Sequence, residues 1–140
     1  MHFERILVPI DGSLSDAEAM ELACSLAGED GTVYAVHVIS VGRALPLDAE
    51  VETEISKAEK LLADVEAIAS TNDSNIETDL LQARDVGPAI IDEAVERGID
   101  LILIGSSYKT HFGEFCLGDI IPYVLRNAPC RVIVDQQRNV

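Results

Sequence analysis

Apolar runs rich in β-branched residues alternate with stretches of helical periodicity along the whole chain. Short runs of this kind predict strands, whereas apolar residues that recur at steps of three and four predict helices. The predicted strands are Phe3–Ile10, Thr32–Ile39, Ile76–Gln82, Asp100–Gly105 and Cys130–Val134. The predicted helices are Ser15–Ala27, Leu47–Ser70, Pro88–Arg97 and a fourth that begins near Ile120. This alternation indicates βαβ units and a mainly parallel sheet.

The order of these elements predicts a single α/β domain over residues 1–140. Because crossovers between parallel strands are right-handed, we expect a doubly wound, Rossmann-like sheet of five parallel strands. The predicted strand order is 3-2-1-4-5, with helices on both faces. Ile76–Gln82 is the least apolar of the predicted strands, so it is placed at an edge.

Local signals predict where the helices begin, end and pack. Ser15 and Glu18 have capping-box spacing, so the first helix is predicted to start at Ser15. Gly98 follows the third helix as a C-cap. The long second helix carries one apolar seam, which predicts the face it buries. The seam residues are Val51, Ile55, Ala58, Leu62, Val65 and Ala69.

The chain carries 25 acidic and 10 basic residues, for a formal net charge of −15. Nucleic-acid binding needs a basic surface, so this balance argues against it. No apolar run approaches the roughly 20 residues of a membrane span, and no leader-like segment is seen, so a cytoplasmic protein is expected. The acidity fits either a halophilic protein in a high-salt cytoplasm or simply an acidic surface.

The cysteines and histidines do not form a metal-binding or redox framework. Cys24 and Cys130 lie in apolar surroundings and are expected to be core thiols. Cys116 falls in a loop, where a redox role and simple exposure both remain open. The histidines are isolated, without partners at zinc-ligand spacing. His37, at a strand end, is expected to be packed and hydrogen-bonded rather than catalytic.

The stretch from Asp100 to Asp135 contains features for and against binding of a phosphate. Gly105 ends an apolar strand and Gly118 precedes the last helix. Such glycines let backbone amides approach an anion, and a helix N-terminus favours negative charge. Tyr108 is bulky, however, and Asp119 places a carboxylate where a phosphate would lie. Ligands of doubly wound sheets bind where the winding direction changes, here between the first and fourth strands.

Five short segments then identify a family by their order and spacing. They are Ile6–Ser13, His37-Val38, Gly87-Pro88-Ala89, Asp100–Gly105 and Val124–Cys130. With these segments the chain resembles the universal stress protein family over essentially its full length. The resemblance implies the doubly wound fold and a homodimer formed through the last strand, Cys130–Val134. That strand would otherwise be an exposed sheet edge.

The resemblance also implies a nucleotide site. Part of the family binds ATP with the pattern Gly, two residues, Gly, nine residues, Gly, then Ser or Thr. On this chain Gly105 and Gly118 are the first and third glycines, but Tyr108 stands at the second and Asp119 at the hydroxyl residue. Asp11 and the backbone near Val38 would face adenine and ribose. The remaining candidate residues of this crevice are Pro9, Ile10, Ile104, Ile120 and Ile121.

The two departures weaken the expected ATP site. A carboxylate about 4 Å from a phosphate repels it by ~1 kcal/mol in water and by several times more in a drier crevice. Asp119 is also a strong N-cap and can occupy the helix amides itself. The contrary interpretation is that Asp119 holds a magnesium ion that bridges to the phosphates.

Two functions follow. The first is a dimeric stress-response sensor or adaptor with weak or lost ATP binding. The alternative is a competent ATP- or AMP-binding regulatory protein, with at most slow hydrolysis. No catalytic residue is assigned, because the sequence has no nucleophile-elbow serine, Walker lysine motif or Rossmann glycine triplet. Its protein partners are not evident from the sequence.

Overall fold

The computed structural model describes residues 3–42, 44–46, 52–107 and 120–137. Its elements are β1 (Arg5–Pro9), α1 (Ser15–Ala27), β2 (Thr32–Ser40), α2 (Glu52–Thr71), β3 (Asn75–Ala83), α3 (Val86–Glu96), β4 (Leu101–Ser107), α4 (Ile121–Asn127) and β5 (Arg131–Gln137). The strands form one sheet in the order β3-β2-β1-β4-β5, and all neighbours pair in parallel. The predicted doubly wound α/β fold and strand order are therefore confirmed.

The core has two layers because successive strand residues point to opposite faces of the sheet. In β1, Ile6 and Val8 pack in the cluster that also holds α1 and α2 residues such as Met20 and Leu62. Leu7 lies in the opposite cluster, with Ile90 of α3 and Val124 of α4. Because both faces are covered, β1 is an almost continuous apolar run, as expected for a central parallel strand.

The apolar seam predicted for α2 is the face that the helix buries. Ala58, Leu62, Val65 and Ala69 are its buried residues, while Ile55 is half-buried. The predicted start of this helix, including Val51, lies outside the described residues. Within the described ranges, none of the helices combines the length and hydrophobicity needed to cross a bilayer.

An ionic network lies beside β3, which is an edge strand as predicted. Arg97, just after α3, donates from Nε to Glu93 Oε2 at 2.7 Å and from Nη2 to Asp79 Oδ2 at 3.0 Å. Its guanidinium also lies 5.0 Å from the ring centroid of Tyr34. Glu93 is buried, and burial raises its pKa while the hydrogen bond from Arg97 lowers it. The network therefore joins α3 to the β3 edge through Glu93, a buried acid whose charge is offset by Arg97.

The capping-box prediction for α1 was wrong. The N-cap residue is Leu14, and it makes no side-chain cap hydrogen bond. Ser15 Oγ lies 2.6 Å from Ser13 Oγ. Glu18 is hydrogen-bonded to Asp135 on β5, which raises the pKa of Glu18. A tertiary contact has thus replaced the local interaction that the spacing suggested.

Candidate functional site

The candidate site begins where β1 ends. Pro9 pairs with Val36, so β2 continues through His37–Ser40 beyond the end of β1. The amide of Ile10 donates to the carbonyl oxygen of Val36 at 2.8 Å and holds the start of the β1–α1 loop against β2. The loop and the extended strand end therefore form adjoining walls at the carboxyl edge of the sheet.

His37 reinforces this junction. Its Nδ1 lies 2.7 Å from the carbonyl oxygen of Ile10. A carbonyl can only accept a hydrogen bond, so Nδ1 carries the hydrogen. His37 thus ties β2 to the β1–α1 loop, which confirms that the side chain is packed and hydrogen-bonded.

A buried carboxylate, that of Asp16, holds the β1–α1 loop through its backbone amides. Asp16 accepts hydrogen bonds from the amides of Gly12, at 2.8 Å, and Asp11, at 3.3 Å. The Asp11 side chain in turn accepts one from the amide of Ser13, at 2.9 Å. Asp16 is only 8% exposed, and burial followed by the nearby charge of Asp11 raises its pKa to about 7. The loop is therefore held by an acid whose ionised form is disfavoured by its surroundings.

A cavity of about 420 Å³ opens above these groups. It brings together four of the predicted site residues, namely Pro9, Ile10, Asp11 and Val38. The rest of its lining comes from β2, α2 and α3: Val36, His37, Ile39, Ser40, Glu54, Lys57, Leu61, Val86 and Ile90. Its volume falls in the range of about 300–1,000 Å³ that is typical of small-ligand sites.

The walls of this cavity suit a flat, mainly apolar ring that carries a charged group. Ile10, Val38 and Leu61 supply apolar surface. Asp11 is at the β1 end, and Lys57, from α2, is the one Lys or Arg that the described residues contribute to the lining. Apolar walls with a few placed polar groups are the usual composition of a site for an organic ligand.

A second cavity, of about 810 Å³, adjoins the first and shares Ser40 and Val86 with it. Ile120 and Tyr123 line its other side. Arg84 lies at its rim and donates hydrogen bonds from Nη1 to the carbonyl oxygens of Val41, at 3.3 Å, and Gly42. Ile120 therefore faces the neighbouring cavity rather than the one that holds Asp11 and Val38.

Two of the predicted site residues, Ile104 and Gly105, lie on β4. Ile104 is fully buried in the α3/α4 layer. A Cβ on Gly105 would meet the backbone oxygen of Ser15 at 2.9 Å and Ala19 Cβ at 3.0 Å. The missing side chain of Gly105 thus lets α1 lie close against β4. Ile121 is half-buried at the start of α4.

The loop that carries the sequence departures lies outside the described residues. This applies to Tyr108, Gly118 and Asp119, and so to the magnesium hypothesis; Cys116 lies there too. In the part of the chain that the structure describes, no group of three or more His, Cys, Asp or Glu residues could hold a metal ion. Cys24 is buried as predicted, and Cys130 is half-buried with its pKa raised by burial.

Sequence reasoning missed Asp16 and Lys57. Asp16 looks like an ordinary acid in the first turn of a helix, where it would favour the helix dipole. Its burial follows from the close packing of α1 on β4, which involves residues far apart in sequence. Lys57, which lies on α2, was assigned no role in the sequence analysis. Because α2 packs beside β2, that position also lines the cavity.

The sequence model of the universal stress protein family matches residues 2–135. The chain belongs to the universal stress protein family. A universal stress protein of Methanocaldococcus jannaschii is 30% identical over 139 residues, which cover 94% of this chain and 81% of the relative. The family resemblance inferred from the five sequence segments is thus confirmed.

Solved structures of the family share the fold. The Archaeoglobus fulgidus universal stress protein in complex with dAMP superimposes with a TM-score of 0.73, at 23% identity, covering 96% of this chain and 98% of that chain. An Arabidopsis thaliana family protein with AMP bound gives a TM-score of 0.71 at 18% identity, covering 98% of this chain and 93% of that one.

Proposed function

We propose that this protein is a homodimeric stress-response sensor or adaptor that binds an adenosine monophosphate and binds ATP weakly. The observation that carries the proposal is the cavity of about 420 Å³ with apolar walls, Asp11 on one side and Lys57 on another. The adenosine part of the nucleotide would lie between Ile10, Val38 and Leu61. Structural neighbours with bound dAMP and AMP support this class of ligand.

Charge favours a monophosphate over a triphosphate. Lys57 supplies one positive charge in a lining that also holds the acids Asp11 and Glu54, so its described residues can balance a single phosphate group at most. A triphosphate would extend towards the phosphate loop, where Asp119 stands in place of a hydroxyl residue and Tyr108 in place of a glycine. The second and third phosphates of ATP would therefore meet more repulsion than attraction from the protein. The magnesium-bridged binding of ATP is the competing possibility.

The homodimer is proposed to form through β5. This strand is at the edge of the sheet and contains the half-buried run Val132, Ile133 and Val134. An exposed edge of this kind favours pairing with another strand. The nucleotide would act by changing the crevice surface that the dimer presents to partner proteins.

Isothermal titration with AMP, ADP and ATP, each with and without magnesium, tests the ligand assignment. We expect AMP to bind at least about tenfold more tightly than Mg-ATP. The double variant Tyr108→Gly with Asp119→Ser should raise the affinity for ATP and leave that for AMP nearly unchanged. Equal affinity for AMP and Mg-ATP in the wild-type protein would contradict the proposal.

A matched pair of lysine variants tests the geometry of the site. Lys57→Met should weaken AMP binding by about fivefold, as expected for loss of a charge contact from an exposed lysine worth about 1 kcal/mol. Lys60→Met is the control, because it removes the same charge from the same helix at an exposed position outside the cavity lining. Similar losses in both variants would indicate a general charge effect and would argue against Lys57 as a phosphate contact.

A further inference from the structure

The outer edge of β5 has a sequence that can pair with itself. Arg131, Ile133 and Asp135 alternate along the strand with Val132 and Val134, so the first three share one face of the sheet. Ile133 packs with the α1/α2 layer, and Val132 packs with the α3/α4 layer. One face of the sheet at this edge therefore carries Arg131, Ile133 and Asp135, and the other carries Val132 and Val134.

Symmetry limits how two such edges can meet. A two-fold axis perpendicular to the sheet continues it with antiparallel strands and keeps each face on its own side. Every residue must then lie opposite a residue of the same face, since a slip by one position would move side chains to the wrong face. The axis consequently passes midway between one residue of β5 and the same residue of the second copy, and the choice of that residue sets the register.

The register centred on Ile133 is the one that matches all five positions. It places Ile133 opposite itself, Val132 opposite Val134, and Arg131 opposite Asp135. Centring on Val132 would place Arg131 opposite Ile133, and centring on Val134 would place Asp135 opposite Ile133. Pairs of opposite charge and pairs of apolar residues stabilise neighbouring strands, whereas a charge opposite an apolar residue gains nothing comparable.

We propose that a second copy of this chain pairs with β5 in the antiparallel register centred on Ile133, with each Arg131 against the partner's Asp135. This inference rests on the proposed homodimer and adds its register and its ionic contacts. Because the arrangement is two-fold symmetric, the Arg131–Asp135 contact occurs twice in each dimer.

The groups around Asp135 favour contact with a cationic side chain. Glu18 of α1 is hydrogen-bonded to Asp135, and this contact raises the pKa of Glu18. Gln137 Nε2 donates to Asp135 Oδ2 at 3.2 Å and to the carbonyl oxygen of Ser15 at 2.9 Å, which holds Asp135 near α1. The partner's Arg131 would offset the negative charge of this pair.

Charge reversal tests the register. Arg131→Asp alone and Asp135→Arg alone should each weaken dimerisation by about tenfold or more, because each places like charges opposite one another twice. An equal mixture of the two single variants should form a heterodimer with wild-type stability, since both contacts again join opposite charges. The double variant Arg131→Asp with Asp135→Arg should also dimerise. Analytical ultracentrifugation across a concentration series measures all four samples.

Arg126→Asp is the matched control, because Arg126 is an exposed arginine on α4, outside β5. It should leave the dimer nearly unchanged. Circular dichroism of each variant confirms that it is folded. Single variants that dimerise like the wild type, or a mixture that stays monomeric, would overturn the register while leaving the homodimer in place. A monomeric wild-type protein at tens of micromolar would instead refute the homodimer itself.

Discussion

Two buried carboxylates of this protein have opposite surroundings. Glu93, only 6% exposed, receives a hydrogen bond of 2.7 Å from Arg97 and so has a cationic partner. Asp16, 8% exposed, is held by the backbone amides of Asp11 and Gly12 and lies near the acid Asp11. The first pair joins α3 to an edge of the sheet, whereas the second supports the loop beside the candidate nucleotide cavity.

The difference lies in which groups offset the burial of each acid. A buried acid with a good cationic partner is a feature of a stable framework. The pKa of Asp16 is raised to about 7, and Asp11, whose amide donates to Asp16, lines the cavity of about 420 Å³. Asp16 keeps the amides of the loop in place and thereby positions Asp11 at the cavity wall.

The largest expected effect comes from Asp16→Asn. The pKa of Asp16 is raised in the folded state from 3.8 to about 7, so its stabilising effect is complete below pH 3.8 and is lost as the pH rises through 7. At ~1.4 kcal/mol per unit, the wild type should lose up to roughly 4 kcal/mol from this group as the pH rises. The variant should lack this loss. Urea unfolding across this pH range measures it.

Asp92→Asn is the control for Asp16→Asn, because it removes an exposed carboxylate of α3. The asparagine at position 16 keeps one acceptor for the loop amides, so the variant gives up about 1 kcal/mol of hydrogen bonding at low pH. If the difference in unfolding free energy between wild type and Asp16→Asn stays constant across the pH range, the description of Asp16 is wrong.

Arg97→Met should have the next largest effect. Removing one partner of a buried ion pair costs about 3–5 kcal/mol. The Arg97 side chain is 30% exposed, so solvent screening reduces the expected loss to about 2–3 kcal/mol at neutral pH. Because the pKa of Glu93 is already raised by burial, lowering the pH should restore part of the stability by protonating it. Arg126→Met, on the exposed surface of α4, should change the unfolding free energy by less than about 0.5 kcal/mol.

Gly105→Ala should have a smaller effect, which acts on Asp16 through the position of α1. The added methyl group would meet the backbone of Ser15 at 2.9 Å, so α1 must shift together with Asp16. Overpacking of this kind costs about 1–3 kcal/mol. Gly42→Ala is the matched control, since a Cβ there meets nothing within 4 Å. Equal stability of the two variants would show that Gly105 is not needed for packing.

The sequence predicted the elements and their order because burial on two faces gives strong periodic patterns. The apolar runs around Leu7 and Ile102, and the seam around Leu62, have this property. It also pointed to Asp11 and Val38, which share one cavity. It could not reveal the environment of Asp16 or Arg97, because their partners are set by the packing of helices on strands. The capping-box prediction failed for the same reason, since Glu18 has its partner on β5.

We propose that the loop held by Asp16 borders an adenine-nucleotide site. Titration of ¹⁵N-labelled protein with AMP, followed by amide chemical shifts, tests this proposal residue by residue. We predict that the shifts concentrate at Asp11, Gly12 and Val38, with little change around Glu93 and Arg97. Shifts that concentrate around Arg97, or no shifts at millimolar AMP, would show that AMP does not bind beside this loop.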